Sequence, residues 1–84
     1  MPKPTSATGK KNLISQNLIS LRSKYNLSQR DLAHQLQLAG YDMDKNVITR
    51  IETGKRYVTD IEIKALCEIF HVTFEDLIRP SKEL

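Results

Sequence analysis

Apolar residues recur at steps of three and four along most of this 84-residue chain, starting at residue 13. Such a spacing places them on one face of a helix. The predicted helices cover 13–25, 28–39, 44–53, 59–70 and 73–79. No alternating β-branched run indicates a strand. The pattern therefore predicts an all-α fold of five short helices.

The starts and stops of these helices follow one scheme. Four starts offer an apolar residue, a polar N-cap and an apolar residue four positions later, with N-caps Ser28, Asp44, Thr59 and Thr73. Three N-caps are followed after three positions by an acid that can complete a capping box, namely Asp31, Glu62 and Asp76. Residues suited to ending a helix follow four of the five helices, namely Asn26, Gly40, Gly54 and Pro80.

The inward faces of the helices predict a single core. Its expected members are Ile14, Leu18, Leu32, Ala33, Leu36, Val47, Ile48, Ile51, Ile63, Leu66, Cys67, Phe70, Val72 and Leu77. Residues 1–12 have two prolines, three lysines and no apolar periodicity, so they predict a disordered basic tail. The predicted domain covers 13–80, and 81–84 form a short C-terminal tail.

Composition excludes several classes of protein. The single cysteine, Cys67, cannot form a disulfide framework, and it makes no metal cluster with the isolated His34 and His71. No apolar run reaches the roughly 18 residues of a membrane span, and no apolar stretch near residue 1 resembles a signal peptide. We expect a cytoplasmic protein without metal, cofactor or small-molecule ligand. No nucleophile–base set or glycine-rich phosphate loop indicates an enzyme.

The charge distribution suggests a polyanionic partner. Residues 1–57 carry ten basic and four acidic side chains, whereas residues 58–84 carry three basic and six acidic ones. A basic front and an acidic back suit a domain that turns one side toward nucleic acid, although charge runs are often just solvated surface.

Two segments carry a resemblance to a known family. Residues 27–33 read LSQRDLA, and residues 47–56 read VITRIETGKR. Together they closely resemble the phage repressor and Cro-type helix-turn-helix family, over about residues 14–78. The resemblance implies a five-helix, lambda-repressor-like DNA-binding domain whose third helix, 44–53, enters the major groove.

The resemblance also assigns the base-reading positions, which are Lys45, Asn46, Thr49 and Arg50. Their chemistry agrees, because Asn can pair with adenine, Lys or Arg with guanine, and a Thr methyl with thymine. The alternative is that these are solvated residues on an exposed helix. Arg50 is expected beside the other three, on bases or phosphate.

The remaining family positions imply backbone contacts and one structural ion pair. The expected phosphate contacts are Ser28, Gln29, Lys55, Arg56 and Tyr57. Ser28 also serves as an N-cap, and the helix N-terminus that it opens favours anions. Arg22 and Glu52 match a pair that joins the first helix to the third. The tail lysines Lys3, Lys10 and Lys11 either wrap DNA or only aid solubility.

One departure from the family pattern concerns the turn before the third helix. From Leu32 to Ile48 the chain is about five residues longer than in the common pattern, whose turn has three or four residues. We expect the family subset with a longer turn. Tyr41 in this turn either packs on the insertion or reaches the DNA backbone.

These observations predict a transcriptional regulator that binds a specific double-stranded operator, most simply a repressor. A weak homodimer is expected through Phe74, Ile78 or Leu84, since one domain covers little DNA. The alternatives are a protein-interaction module of the same fold, such as an antitoxin or coactivator-like domain, and a DNA-binding fragment of a longer regulator.

Overall fold

Five helices account for most of residues 9–79, the part of the chain that this computed structural model describes. They are α1 (Ser15–Lys24), α2 (Gln29–Leu38), α3 (Lys45–Glu52), α4 (Asp60–Phe70) and α5 (Phe74–Ile78). No strand occurs among these residues, so the predicted all-α fold of five helices is confirmed. None of the described helices is both long and apolar enough to cross a membrane.

All four predicted N-caps form. The hydroxyls of Ser28, Thr59 and Thr73 each accept a hydrogen bond from the backbone three residues later, and a carboxylate at that position accepts from the cap. Asp44 accepts from Val47 N at 2.9 Å. Each of these helices begins one residue after its predicted start, because the cap itself is extended.

The helix ends agree in part with the prediction. Asn26, Gly40 and Gly54 all adopt positive φ, which turns the chain out of the preceding helix. α4 ends instead at His71, a non-glycine residue with φ 55°, and the sequence did not indicate it. α5 ends at Ile78, while Pro80 lies outside the described residues.

The core lies between α1, α2, α3 and α4 and is closed by α5. Ten of the predicted members are buried, whereas Val47, Ile63, Cys67 and Val72 are only half-buried at its edge. Two buried apolar side chains were not predicted as core members, Met43 and Ala65. Met43 is 2 % exposed because the turn before α3 folds inward, with Gln37 Nε2 donating to its carbonyl at 3.4 Å.

The turn between α2 and α3 covers residues 39–44 and is hydrogen-bonded to α4 through Tyr41. Tyr41 Oη donates to Glu68 Oε1 on α4 at 2.6 Å. Lys64 Nζ, also on α4, lies 3.2 Å from the same phenol oxygen and 2.7 Å from Glu68 Oε2. Tyr41 is therefore bonded to α4, a contact that neither of the two alternatives for this residue named.

Residues 10–12 differ from the expected disordered tail because they bind the end of α3. Lys11 N donates to Gly54 O at 2.9 Å. Asn12 Nδ2 donates to Ile51 O at 3.1 Å and Arg56 O at 2.9 Å. The same side chain accepts from the backbone at the start of α1. Residues 1–8 and 80–84 lie outside the described part, so the predicted domain limits stay predictions.

Candidate nucleic-acid interface

The third helix separates its apolar and polar residues cleanly. Ile48 and Ile51 are fully buried against the other helices. Lys45, Asn46 and Arg50 are exposed on the opposite side. Their amide, ammonium and guanidinium groups can donate to base edges, and the amide can also accept. The structure thus brings three of the four predicted base-contact residues onto one open face.

The fourth, Thr49, lies at the edge of this face and is only partly exposed. Its Oγ1 lies 2.8 Å from Gln29 Oε1 and 3.0 Å from Lys45 O. The hydroxyl has one proton, and both neighbours are acceptors, so that proton is used within the protein. What Thr49 can offer a base is its methyl group and an oxygen lone pair.

Behind this face, four side chains form a continuous chain of hydrogen bonds. Arg22 holds Glu52 in a two-pronged ion pair, with Nε–Oε2 at 2.7 Å and Nη2–Oε1 at 3.0 Å. Gln29 Nε2 donates to Glu52 Oε1 at 2.8 Å, and Gln29 Oε1 accepts from Thr49. The chain therefore links α1, α2 and α3 and fixes the rotation of α3 relative to the other two.

Electrostatics reinforces both the ion pair and the start of α2. The hydrogen bond that Arg22 donates to Glu52 raises the pKa of Arg22 above its ordinary value, in spite of partial burial. At the N-terminus of α2, hydrogen bonds from the backbone and hydroxyl of Ser28 lower the pKa of Asp31. Arg22 and Asp31 therefore remain charged at neutral pH, and α2 begins with its capping box intact.

The five residues predicted to contact phosphates differ in their exposure and in their partners within the protein. Ser28 and Lys55 are exposed, and Gln29 and Tyr57 are half-buried. Arg56 is directed toward α4, where its Nη2 lies 2.5 Å from Glu62 Oε2. The sequence had indicated Glu62 only as a capping-box acid. The Nε of Arg56 is buried and has no hydrogen-bond partner in the described part of the chain.

A helix pair joined by a turn, with the second helix outward and polar, is the arrangement of helix-turn-helix DNA-binding domains. The helix-turn-helix family model matches residues 18–77, which is most of the chain and includes nearly all five helices. The chain belongs to this family. It is therefore a DNA-binding helix-turn-helix protein of the kind used in transcription regulation. No curated protein and no solved structure gives a significant match.

In this helix-turn-helix protein, sequence reasoning missed two features near the interface. Asn12 was assigned to the tail, although an asparagine directly before the first apolar residues is a common N-terminal signal. The pairing of Arg56 with Glu62 crosses six residues outside a helix, where no periodicity indicates it. Among residues 9–79 no cluster of three His, Cys, Asp or Glu could hold a metal ion.

Proposed function

We propose that this protein is a transcriptional repressor that binds a specific operator by inserting α3 into the major groove. The observation that carries the proposal is the open polar face of α3, set in position by the hydrogen-bond chain behind it. A helix whose orientation is fixed in advance loses little freedom on binding, which favours discrimination between base pairs.

Each residue on that face has a proposed partner. Asn46 pairs with adenine, and Lys45 and Arg50 donate to guanine N7 and O6. Thr49 presents its methyl group to a thymine methyl, since its only proton is already shared with Gln29. Backbone phosphates are proposed to bind Ser28, Gln29, Lys55, Arg56 and Tyr57.

Gln29 and Arg56 can fill this role without giving up their present bonds. The Gln29 backbone amide lies in the first turn of α2, where amide donors have no partner within the helix. The guanidinium of Arg56 has donors beyond the one that meets Glu62. Both residues would then join the protein scaffold to the DNA backbone.

The proposed operator complex is a weak homodimer on a pseudo-palindrome. Phe74 is 54 % exposed on α5, beside a shallow apolar groove of about 380 Å³ that Ile78 also lines. Burying such a patch against a second copy removes apolar surface from water. Two α3 helices would then read half-sites about 34 Å apart, which is one turn of DNA.

Selection of random duplex DNA by the purified protein, followed by sequencing, tests the proposal. A palindromic motif with half-sites one helical turn apart is the expected result. Enrichment no better than background contradicts operator binding and favours a protein-docking domain. Sedimentation with and without the selected duplex shows whether two copies assemble on it.

Two substitutions separate base reading from backbone contact. Asn46→Ala should weaken binding to the operator by about 1–3 kcal/mol and relax the sequence preference at one base pair only. Lys55→Ala, the matched control, should weaken all duplexes to a similar degree. If Asn46→Ala weakens unrelated DNA equally, Asn46 does not read a base.

A further inference from the structure

A polar groove of about 590 Å³ lies beside the end of α3, at the border of the proposed DNA-binding face. Its lining residues are Lys11, Arg50, Lys55, Arg56, Tyr57 and Thr59. Four of the six are cationic, and no acidic side chain lines the groove. A concave surface of this charge attracts anions more strongly than isolated lysines on a convex surface do.

Three of the four cations have no acidic partner among the described residues. Arg56 is neutralised by Glu62, but Lys11, Arg50 and Lys55 form no ion pair with an acid of the described residues. These three come from two parts of the chain that are about 40 residues apart in sequence. Only the folded structure brings Lys11 beside the other two.

The position of Lys11 is determined by its neighbours. Its backbone N–H donates to Gly54 O, and the next side chain, Asn12, donates to the carbonyls of Ile51 in α3 and Arg56 after it. Its Nζ lies 5.5 Å from the centroid of the Tyr57 ring, over the aromatic face. Such a cation is held in place without being neutralised.

Gly54 shows how closely this segment approaches the end of α3. Its φ is +74°, and a Cβ at this position would lie 2.6 Å from Lys10 Cγ. A side chain at position 54 would therefore push residues 10 and 11 away from the groove. The close approach and the three hydrogen bonds together distinguish this segment from a tail that only follows the domain.

We propose that Lys11 and Lys55 form one binding site for the DNA backbone, next to the base-reading Arg50, and that Asn12 is the residue that positions Lys11 in it. The ligand is a phosphodiester group at the edge of the operator. The inference rests on the proposed function and adds to it a phosphate contact from the N-terminal segment. This contact sets position and affinity, and it carries no sequence information.

The test is the salt dependence of affinity for Lys11→Ala, on the selected operator and on an unrelated duplex of equal length. Each lost phosphate contact lowers the slope of log K against log salt by about 0.9. Between about 50 and about 200 mM salt, the wild-type protein should therefore lose roughly 3.5 times more affinity than the variant on both duplexes. Lys11→Arg should keep the wild-type slope.

Lys24→Ala is the matched control. Lys24 is also an exposed lysine over a tyrosine ring, at 5.8 Å from the Tyr25 centroid, but it does not line the groove. The slope of log K against log salt for Lys24→Ala should equal that of the wild-type protein. If Lys11→Ala and Lys24→Ala change the slope equally, Lys11 acts only through net charge and the site is refuted.

The role of Asn12 is tested by comparing the salt dependence of the Asn12→Ala variant with that of the Asn12→Ala, Lys11→Ala double variant. Without its positioning residue Lys11 should contribute less, so the second substitution should lower the slope by clearly less than 0.9. A full further loss shows that Lys11 needs no positioning.

Two outcomes separate this inference from the proposed function. If the wild-type protein prefers its operator but Lys11→Ala leaves the slope of log K against log salt unchanged, only this inference fails. If the wild-type protein binds neither duplex, the proposed function fails as well.

Discussion

Two arginine–glutamate pairs lie at and just after the C-terminal end of α3, and they differ in how completely their hydrogen bonds are formed. Arg22 uses three donors, two on Glu52 and one on Leu27 O. Arg56 uses one donor on Glu62, while its Nε is buried without a partner in the described part of the chain. Their acids also differ, since Glu52 binds Gln29 whereas Glu62 caps α4.

The difference separates two roles that the residue types alone do not distinguish. A buried pair contributes to stability only when nearly all its donors and acceptors are satisfied, and the Arg22 pair meets that condition. The Arg56 pair does not, and it lies where the proposed phosphate contacts begin. We infer that the first pair supports the fold and that the second contributes less to it.

The same substitution at both arginines provides the strongest test of this comparison. Arg22→Met should lower the free energy of unfolding by about 3 kcal/mol, because it leaves a buried carboxylate without its cation. The Glu52 side chain is only 5 % exposed, so water cannot replace the guanidinium. Urea denaturation measures the change. A loss below about 1 kcal/mol would mean that the pair adds little to the fold.

Gln29→Ala tests whether the first pair also controls the face of α3. It removes the bonds to Glu52 and Thr49, and we expect a loss of about 1.5 kcal/mol in stability. Combined with Thr49→Val in a double-mutant cycle, it should show a coupling of about 1 kcal/mol. Independent, additive effects of the two substitutions would refute the hydrogen-bond chain.

Arg56→Met should change stability by less than about 1 kcal/mol, in contrast to Arg22→Met. It removes a buried unpaired donor together with the ion pair, and these effects oppose each other. Glu62 keeps its bond to Thr59 N, so α4 remains capped. Urea denaturation of both variants under the same conditions measures the two changes. Equal losses in the free energy of unfolding would mean that the two pairs do not differ in their contribution to the fold.

Asp31→Asn provides a reference, because Asp31 is a capping acid that is not paired with an arginine. We expect it to have the smallest effect on stability of the four variants. Hydrogen bonds from Ser28 lower the pKa of Asp31, so its contribution to stability is present above its unfolded pKa and disappears as pH falls through the lower folded value. The variant should melt at slightly lower temperature at pH 7. The difference from the wild type should shrink as the pH falls below the unfolded pKa of aspartate and vanish once the pH is below the lower folded value. A difference that persists there has another origin.

Local patterns in the sequence predicted the elements well, because each was encoded within four residues. All three capping boxes and the four N-caps follow from such spacing. The buried face of α3 also follows from periodicity. These features need no knowledge of the rest of the fold.

Contacts between distant segments could not be predicted in this way. Asn12 reaches carbonyls 39 and 44 residues away, and Asn17 Nδ2 donates to Leu77 O at 2.6 Å, which attaches α1 to α5. Neither asparagine belongs to a repeating pattern. Arg22 and Glu52 were paired only through the family resemblance, because 30 residues separate them.

The way α3 is held has a consequence for engineering. The helix is capped by Asp44 at its start and by Thr53 at its end, and Ile48 and Ile51 bury its inner face. Lys45, Asn46 and Arg50 can therefore be exchanged as a cassette without disturbing any side-chain bond that holds the helix. Thr49 must stay or become serine, since its hydroxyl is part of the scaffold. A library built on three positions can thus be screened for new operator preferences in a framework that does not change.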